Sequence, residues 1–261
     1  MKKGKKLLIA LGMVVAAVAI AAGSIAGTVA YMTSASKVSN VFTIGNVKIH
    51  MDEGKVDADG KLLTGSEAAR TDSNSYLLMP GKSYDKDPLI TVQADTQACY
   101  LFLVTRNQIS SIEVQNDPYK PTMAQQMVAN GWGIYKDTTA GTRVWIYCGV
   151  PEEGEEARIG ADMKAIKPVA ICGSGVTTAD ATQVTTLPVF TNFYITTTES
   201  DNLAIYSGAE VTLNAVGIQA DSFGELGNMT SVNAAWAAVV NQFPYIQDNV
   251  GTETEAPAQN G

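Results

Sequence analysis

The chain has 261 residues, of which 46% are hydrophobic and 17% charged, and its formal net charge at pH 7 is −8. This length can bury a substantial core, and all-β sandwiches reach about 200–250 residues as one domain. The acidic balance excludes nucleic acid as a partner, because phosphate recognition needs a basic surface. The single histidine excludes an HExxH zinc site, which needs two imidazoles one helical turn apart.

The first thirty residues have the composition of an export signal. Four lysines among residues 2–6 precede an uncharged run of mostly Ala, Val, Ile, Leu and Gly over residues 7–30. The run ends at Thr28-Val29-Ala30, a small-x-Ala pattern that signal peptidases accept. A retained anchor is the alternative, since about 20 apolar residues span a bilayer. The many Ala and Gly residues and the missing basic cluster after the run favour cleavage between Ala30 and Tyr31, and hence secretion.

Residues 31–39 form a polar segment rich in Ser and Thr, without Pro or Gly. Two interpretations are open. The segment is an unpaired N-terminus, as terminal residues often are, or it is a strand that completes the sheet of a neighbouring subunit.

Alternating apolar and polar residues predict one strand over residues 41–51. Residues 99–104 are continuously apolar, which indicates a central strand covered on both faces. Helices are predicted over residues 121–130 and 232–243. Further strands are predicted over residues 76–79, 89–92, 100–105, 132–135, 142–150, 184–198 and 211–220. These elements indicate one β-sandwich domain over residues 40–246, followed by an acidic tail, 247–261, whose composition is typical of disorder.

Two acidic clusters are candidate cation sites. Asp57, Asp59 and Gly60 resemble part of a calcium loop, but the terminal Glu of an EF-hand is missing, and an Asp-Gly hairpin turn explains the same residues. The four glutamates within residues 152–156 are typical of a solvated loop. We therefore expect no metal and no other cofactor.

Three cysteines, Cys99, Cys148 and Cys172, cannot all pair within one chain. Two states of the cysteines are open, which are one disulfide with one remaining thiol and three reduced thiols. The bridge most easily formed would join Cys148 to Cys172 and close the acidic loop.

No catalytic constellation is apparent in the sequence. His50 lies at the end of a predicted strand, and no Ser has a nucleophile-elbow motif near it. No phosphate-binding loop is present, and nothing singles out a pair of carboxylates for glycoside hydrolysis. We therefore expect no catalytic residues and a protein that is not an enzyme.

Several short motifs, taken in order, resemble the TasA/camelysin family of secreted Gram-positive surface proteins. The resemblance extends from the signal to about Trp236, and Gly217 departs from it because a larger residue is expected there. The matching motifs are Ala30-Tyr31-Met32-Thr33, Asn40-Val41-Phe42-Thr43-Ile44-Gly45-Asn46-Val47, Pro80-Gly81 with Lys86-Asp87-Pro88, Leu187-Pro188-Val189-Phe190, and Val216-Gly217-Ile218-Gln219-Ala220-Asp221-Ser222-Phe223.

The resemblance implies an all-β, jelly-roll-like sandwich that forms extracellular matrix or cell-surface fibres. Its partners would be copies of itself, a dedicated signal peptidase during export and an accessory matrix protein, with membrane contact only through the signal peptide. The resemblance also favours donor-strand exchange, in which the strand consists of Tyr31, Met32, Thr33, Ser34, Ala35, Ser36, Lys37 and Val38.

Two other classes of function remain open. Part of the family carries a metallopeptidase label, so a camelysin-like surface protease is one alternative, although the missing histidine pair argues against zinc chemistry. A monomeric adhesin or carbohydrate-binding module that uses the inserts over residues 106–183 is the other.

Overall fold

A computed structural model of the protein describes residues 33–137, 142–172, 184–197, 206 and 208–247. The predicted signal peptide, its cleavage site, Met32 and the tail beyond residue 247 lie outside the described residues. The described part is mostly β-strand arranged in several sheets, with a few short helices. This confirms the predicted all-β, jelly-roll-like sandwich.

The helices in the described part are α1 (Met123–Ala129) and α2 (Met229–Gln242), with 3-10 turns at Gly65–Glu67, Ser110–Ile112, Asp221–Phe223 and Pro244–Gln247. The strands, in chain order, are β1 (Thr33–Ile44), β2 (Ile49–Gly54), β3 (Arg70–Thr71), β4 (Ser73–Leu77), β5 (Ser83–Asp85), β6 (Leu89–Val92), β7 (Cys99–Asn107), β8 (Trp132–Asp137), β9 (Thr142–Tyr147), β10 (Thr185–Pro188), β11 (Asn192–Tyr194) and β12 (Glu210–Gln219).

Six strands form a large sheet in the order β4-β1-β12-β7-β9-β8, and four form a small sheet in the order β10-β6-β2-β3. β5 and β11 form a separate two-stranded ribbon. The paired strands are antiparallel, except that β1 and β12 run parallel. A parallel pair cannot be joined by a hairpin, and here it brings together the first and last strands of the described chain.

The centre of the large sheet is β7, where every residue from Cys99 to Val104 is fully buried. Leu101 and Leu103 point into the core between the two sheets. Phe102 and Val104 point into a second core on the opposite face. The continuous apolar run is therefore covered on both sides, which confirms its prediction as a central strand.

Helix α2 covers the second face of the large sheet. The Asn228 side chain accepts a hydrogen bond from the Thr230 N–H at 2.8 Å, and this cap starts the helix ahead of the predicted residue 232. Trp236 and Val239 are buried, and the Trp236 ring centroid lies 4.9 Å from that of Phe102. The domain therefore has three layers, which are α2, the large sheet and the small sheet.

The single strand predicted over residues 41–51 is wrong, because the chain changes sheets inside it. β1 ends in the large sheet, and β2 starts in the small sheet after four residues without strand structure. Gly45 has a φ of +82°, a conformation that favours glycine. The alternation of apolar and polar residues continues past this corner because Val47 also faces the core. The sequence pattern therefore gives no sign of the turn.

The strand predicted over residues 184–198 is also divided. β10 pairs with β6 in the small sheet, whereas β11 pairs with β5 in the ribbon. Pro188 ends β10, since proline cannot donate a ladder hydrogen bond. Val189 and Phe190, between the two strands, are buried in the core, so the sequence reads as continuously strand-like.

Gly217, where the family resemblance predicts a larger residue, lies against the corner between the sheets. A Cβ atom on Gly217 would lie 2.6 Å from Cγ1 of Val47 and 3.3 Å from Cδ1 of Ile49. The crossing segment therefore packs directly on the backbone of β12, which leaves no space for a side chain.

We expect Gly217→Ala to lower the free energy of unfolding by about 1–3 kcal/mol, because an added methyl group overpacks this contact. Urea denaturation measures the change. The control is the same substitution in a Val47→Ala background, where the cost should be smaller since the clashing methyl group is gone. Equal costs in both backgrounds would contradict the proposed contact.

Candidate functional site

The predicted donor segment lies in the sheet of its own chain. Residues 35–38 pair in parallel with residues 210–213 of β12, and residues 33–37 pair antiparallel with residues 77–73 of β4. This segment therefore has a strand on each side. Tyr31 and Met32, also assigned to the donor strand, lie outside the described residues.

A discontinuity separates this segment from the rest of β1. The register with β12 shifts between Val38 and Val41, and beyond this point β1 pairs with β12 alone over Val41–Ile44. An irregularity of this kind interrupts the hydrogen-bond ladder locally. Residues 33–38 are thus a six-residue unit attached to the body of the domain through Ser39 and Asn40. We call the space that they fill, between β4 and β12, the strand groove.

The β4 wall of the groove is held by contacts that do not involve β1. The Tyr76 hydroxyl donates to the Asp85 carbonyl at 2.9 Å, and the Tyr76 ring packs edge-on against Tyr84 and Phe193 at centroid distances of 5.7 and 5.3 Å. The Asn74 amide donates to the Gly54 carbonyl at 2.8 Å. These contacts fix β4 to the ribbon and the small sheet, so they remain available if residues 33–38 leave.

A second site is a pocket of about 460 Å³ beside α1, which we call the lateral pocket. Its apolar wall consists of buried side chains, among them Met123, Met127, Trp145, Phe190 and Leu213. Exposed Ser110, Gln115 and Asp137 lie at its polar rim. Apolar walls with a few polar groups are typical of small-molecule sites.

Helix α1 is positioned by its capping residues. Thr122 and Gln125 form a capping box, in which the Thr122 hydroxyl accepts from the Gln125 N–H at 3.2 Å and Gln125 Oε1 accepts from the Thr122 N–H at 2.8 Å. The helix was predicted over residues 121–130 and is formed over a shorter range within them.

Glu113 joins this helix to the end of β7. Its Oε1 accepts the Met123 N–H at 2.8 Å, and its Oε2 accepts the Asn107 side-chain amide at 2.9 Å. Burial raises the pKa of Glu113 above its ordinary 4.5, while the two hydrogen bonds oppose the shift. Because both oxygens already accept a hydrogen bond, the carboxylate holds the pocket wall in place.

The opposite wall carries the cationic group of the pocket. Arg143 Nε donates to Asp137 Oδ1 at 2.6 Å, and the guanidinium lies 5.5 Å from the Trp145 ring centroid. Trp145 Nε1 in turn donates to the Thr105 hydroxyl at 3.0 Å. With Arg143 paired to Asp137, this wall presents no unmatched charge, so the pocket favours a neutral ligand that has both polar and apolar faces.

The three cysteines are buried and none of them is in a disulfide, so the predicted bridge between Cys148 and Cys172 is not formed in the structure. Cys172 instead follows Ile171, whose backbone pairs with that of Cys99 through two hydrogen bonds of 2.8 and 2.9 Å. Cys148 faces the core under α2. Burial raises the pKa values of Cys99 and Cys148 to about 12, which keeps both thiols protonated.

The candidate calcium residues form a turn. Asp57 Oδ1 accepts the N–H groups of Asp59 and Lys61 at 2.8 and 2.9 Å, and Lys82 pairs with Asp59 at 2.8 Å. This supports the hairpin-turn interpretation. Exposed His50 contacts Asp52 at 3.2 Å. Across the described ranges, no group of three His, Cys, Asp or Glu residues is arranged to hold a metal ion.

None of the helices in the described part is both long and apolar enough to cross a membrane. Comparisons of the chain with models of protein families, with curated proteins and with solved structures found no match.

The sequence singles out residues 31–38 as a hypothetical donor strand, but it gives no comparable pattern for the lateral pocket. The residues of the pocket come from β7, β8, β9, β12, α1, the loop before α1 and the connection between β10 and β11, and no periodic pattern connects them. The capping box around Thr122 was the one local signal that could have located the pocket wall.

We expect stability to depend on pH through Glu113. Because the pKa of Glu113 is raised in the folded protein, protonation of its carboxylate stabilises the fold. This stabilisation is fully present below the ordinary Glu pKa, and it is lost as the pH rises through the pKa of the folded state. The unfolding free energy of the wild type minus that of Glu113→Gln should therefore increase as pH falls towards 4.5. Urea denaturation over a pH series measures this difference. Glu225→Gln, at an exposed position, is the control for the loss of one formal charge. If the difference between the wild type and Glu113→Gln does not change with pH, the prediction is wrong.

Proposed function

We propose that the protein is a secreted structural subunit of an extracellular matrix or cell-surface fibre, which assembles by N-terminal donor-strand exchange. The observation that carries this proposal is the insertion of residues 33–38 between β4 and β12, next to a discontinuity at residues 39–40. In the fibre, this segment occupies the strand groove of the next subunit. The order of the motifs that resemble the TasA/camelysin family supports the same assignment.

Exchange of the strand costs little in main-chain hydrogen bonding. A swapped strand makes in the next subunit the same main-chain hydrogen bonds that it makes in its own, so the ladder energies of the closed and exchanged forms are similar. The contact is head-to-tail and leaves one free strand and one open groove, which yields a filament rather than a closed ring. Cleavage between Ala30 and Tyr31 during export would free the strand from the signal peptide, so polymerisation would follow secretion.

The direct test compares protein that starts at Tyr31 with a truncation that starts at Asn40. Only the longer form should produce regular filaments in negative-stain microscopy and elute as large species in size exclusion, because the truncation lacks the strand. If both forms remain monomeric and equally stable, residues 31–39 are an ordinary tail, and the proposal is wrong.

A matched peptide experiment tests the groove itself. A synthetic peptide of residues 31–39 should bind the truncated protein and raise its Tm. The same peptide with Ala35→Pro should not do so, because residue 35 pairs with strands on both sides and proline removes its N–H.

The lateral pocket supports a second candidate function, that of an adhesin or carbohydrate-binding module. It is formed largely by residues 105–145, within the inserts, and its mixed polar and apolar lining suits a sugar ring.

A panel of soluble glycans, titrated against the isotope-labelled monomer by NMR, tests the second candidate. We expect shifts confined to the pocket, and Ala124→Phe should abolish them because Ala124 lines it. Ala234→Phe, at an exposed position on α2, is the control and should leave binding unchanged. Absence of binding across the panel would remove this candidate.

A further inference from the structure

A lysine and a glutamate are buried together inside the sandwich. Glu53 lies on β2 and Lys86 directly follows β5, and both side chains have 0% exposure. Lys86 Nζ donates a hydrogen bond to Glu53 Oε2. This oxygen is bonded directly to the carboxyl carbon, Cδ. The two residues are 33 positions apart, one in the small sheet and the other directly after a strand of the ribbon.

As ions, these groups are poorly solvated by the protein. Glu53 Oε1 is buried without a hydrogen-bond partner within the described residues. The nearby Tyr76 hydroxyl does not supply one, since it donates to the Asp85 carbonyl. Burying an ion pair costs several kcal/mol per ion. This cost is recovered only when the remaining polar atoms of both groups have hydrogen-bond partners.

The neighbouring acids have cations of their own. Asp87 Oδ2 accepts from Arg70 at 2.7 Å, and Asp85 Oδ1 accepts from Lys61 at 3.1 Å. Asp87 Oδ1 also accepts the Gly54 N–H. Within the described residues, Lys86 is therefore the only basic side chain in contact with Glu53, and Glu53 the only acidic side chain in contact with Lys86.

Burial lowers the pKa of Lys86, although the adjacent Glu53 opposes the shift. Transfer of one proton from Nζ to the carboxylate converts the pair to a neutral amine and a carboxylic acid without exchange with solvent. This form avoids the desolvation cost of two ions, and it contains a nucleophilic amine next to an electrophilic carboxyl carbon.

We propose that Lys86 and Glu53 condense into an intramolecular amide cross-link. Nζ attacks Cδ and forms the new C–N bond. The C–Oε2 bond then breaks, and the departing hydroxyl, which carries the proton already transferred from Nζ, takes one of the two protons left on nitrogen; one water molecule leaves and the amide keeps one N–H. No oxidant, reductant or activated ester is required.

Two physical effects favour the reaction. Holding amine and acid in contact supplies an effective concentration of up to about 10⁵–10⁸ M, which offsets the unfavourable equilibrium of amide formation in water. The product also replaces two buried charges with one neutral amide. The cross-link would connect β2 in the small sheet to the end of β5 in the ribbon.

Mass spectrometry of the full chain under denaturing conditions tests the proposal. We expect the protein to be lighter by one water molecule than its sequence requires, and a digest should contain one branched peptide that joins Glu53 to Lys86. The digest is essential, because succinimide formation at Asp59-Gly60 would also remove one water. Unlinked peptides carrying Glu53 and Lys86 would overturn the proposal and leave an ion pair only.

Two variants complete the test. Lys86→Arg keeps the positive charge but removes the reactive amine, and its mass should match its sequence. Lys82→Met, which removes a lysine whose partner is the exposed Asp59, should retain the water loss. Mass and peptide connectivity are measured on denatured protein. The wild-type result therefore decides the question even if one of the variants folds poorly.

Discussion

The parallel pairing of β1 with β12 is the contact on which the large sheet depends. Among the described strands, β4 joins that sheet only through β1, and β12 has β7 as its other neighbour. Residues 33–38 therefore connect the edge of the sheet to its buried centre. Removing them leaves two unpaired strand edges facing each other, and unpaired edges are the surfaces through which sheets recruit further strands. In the proposed fibre, the same requirement for paired edges drives the contact between subunits.

The corner after β1 ties this segment to the sandwich core. Gly45 permits the turn out of the large sheet, and Val47 then packs against the backbone of β12 at Gly217. The strand that would be exchanged is thus separated from a rigidly packed corner only by Val41–Ile44 and the discontinuity at residues 39–40. In the proposed fibre, this fixed corner would keep the core of a subunit folded while its terminal strand is exchanged.

Buried polar groups give the interior its specificity. Glu113 fixes the start of α1 to the end of β7, and Trp145 is oriented by Thr105. Glu53 and Lys86 connect the small sheet to the ribbon. Such groups are costly to bury unless they find partners, so each defines one arrangement of the elements around it. Glu113 and Trp145 lie at the lateral pocket, whereas Glu53 and Lys86 lie between the small sheet and the ribbon.

The local features of this fold are readable from the sequence, whereas its long-range pairings are not. Period-two alternation, the apolar run over residues 99–104 and the apolar spacing of α2 follow from which side chains must leave water, so strands, helix and all-β class were predictable. The parallel partner of β1 was not, because hydrogen bonds between backbones carry no side-chain signature. The sheet change at Gly45 was hidden because both sides of the corner bury alternate residues. The lateral pocket and the contact between Glu53 and Lys86 depend on elements distant in sequence, and only the packing of the sheets decides which of their side chains meet.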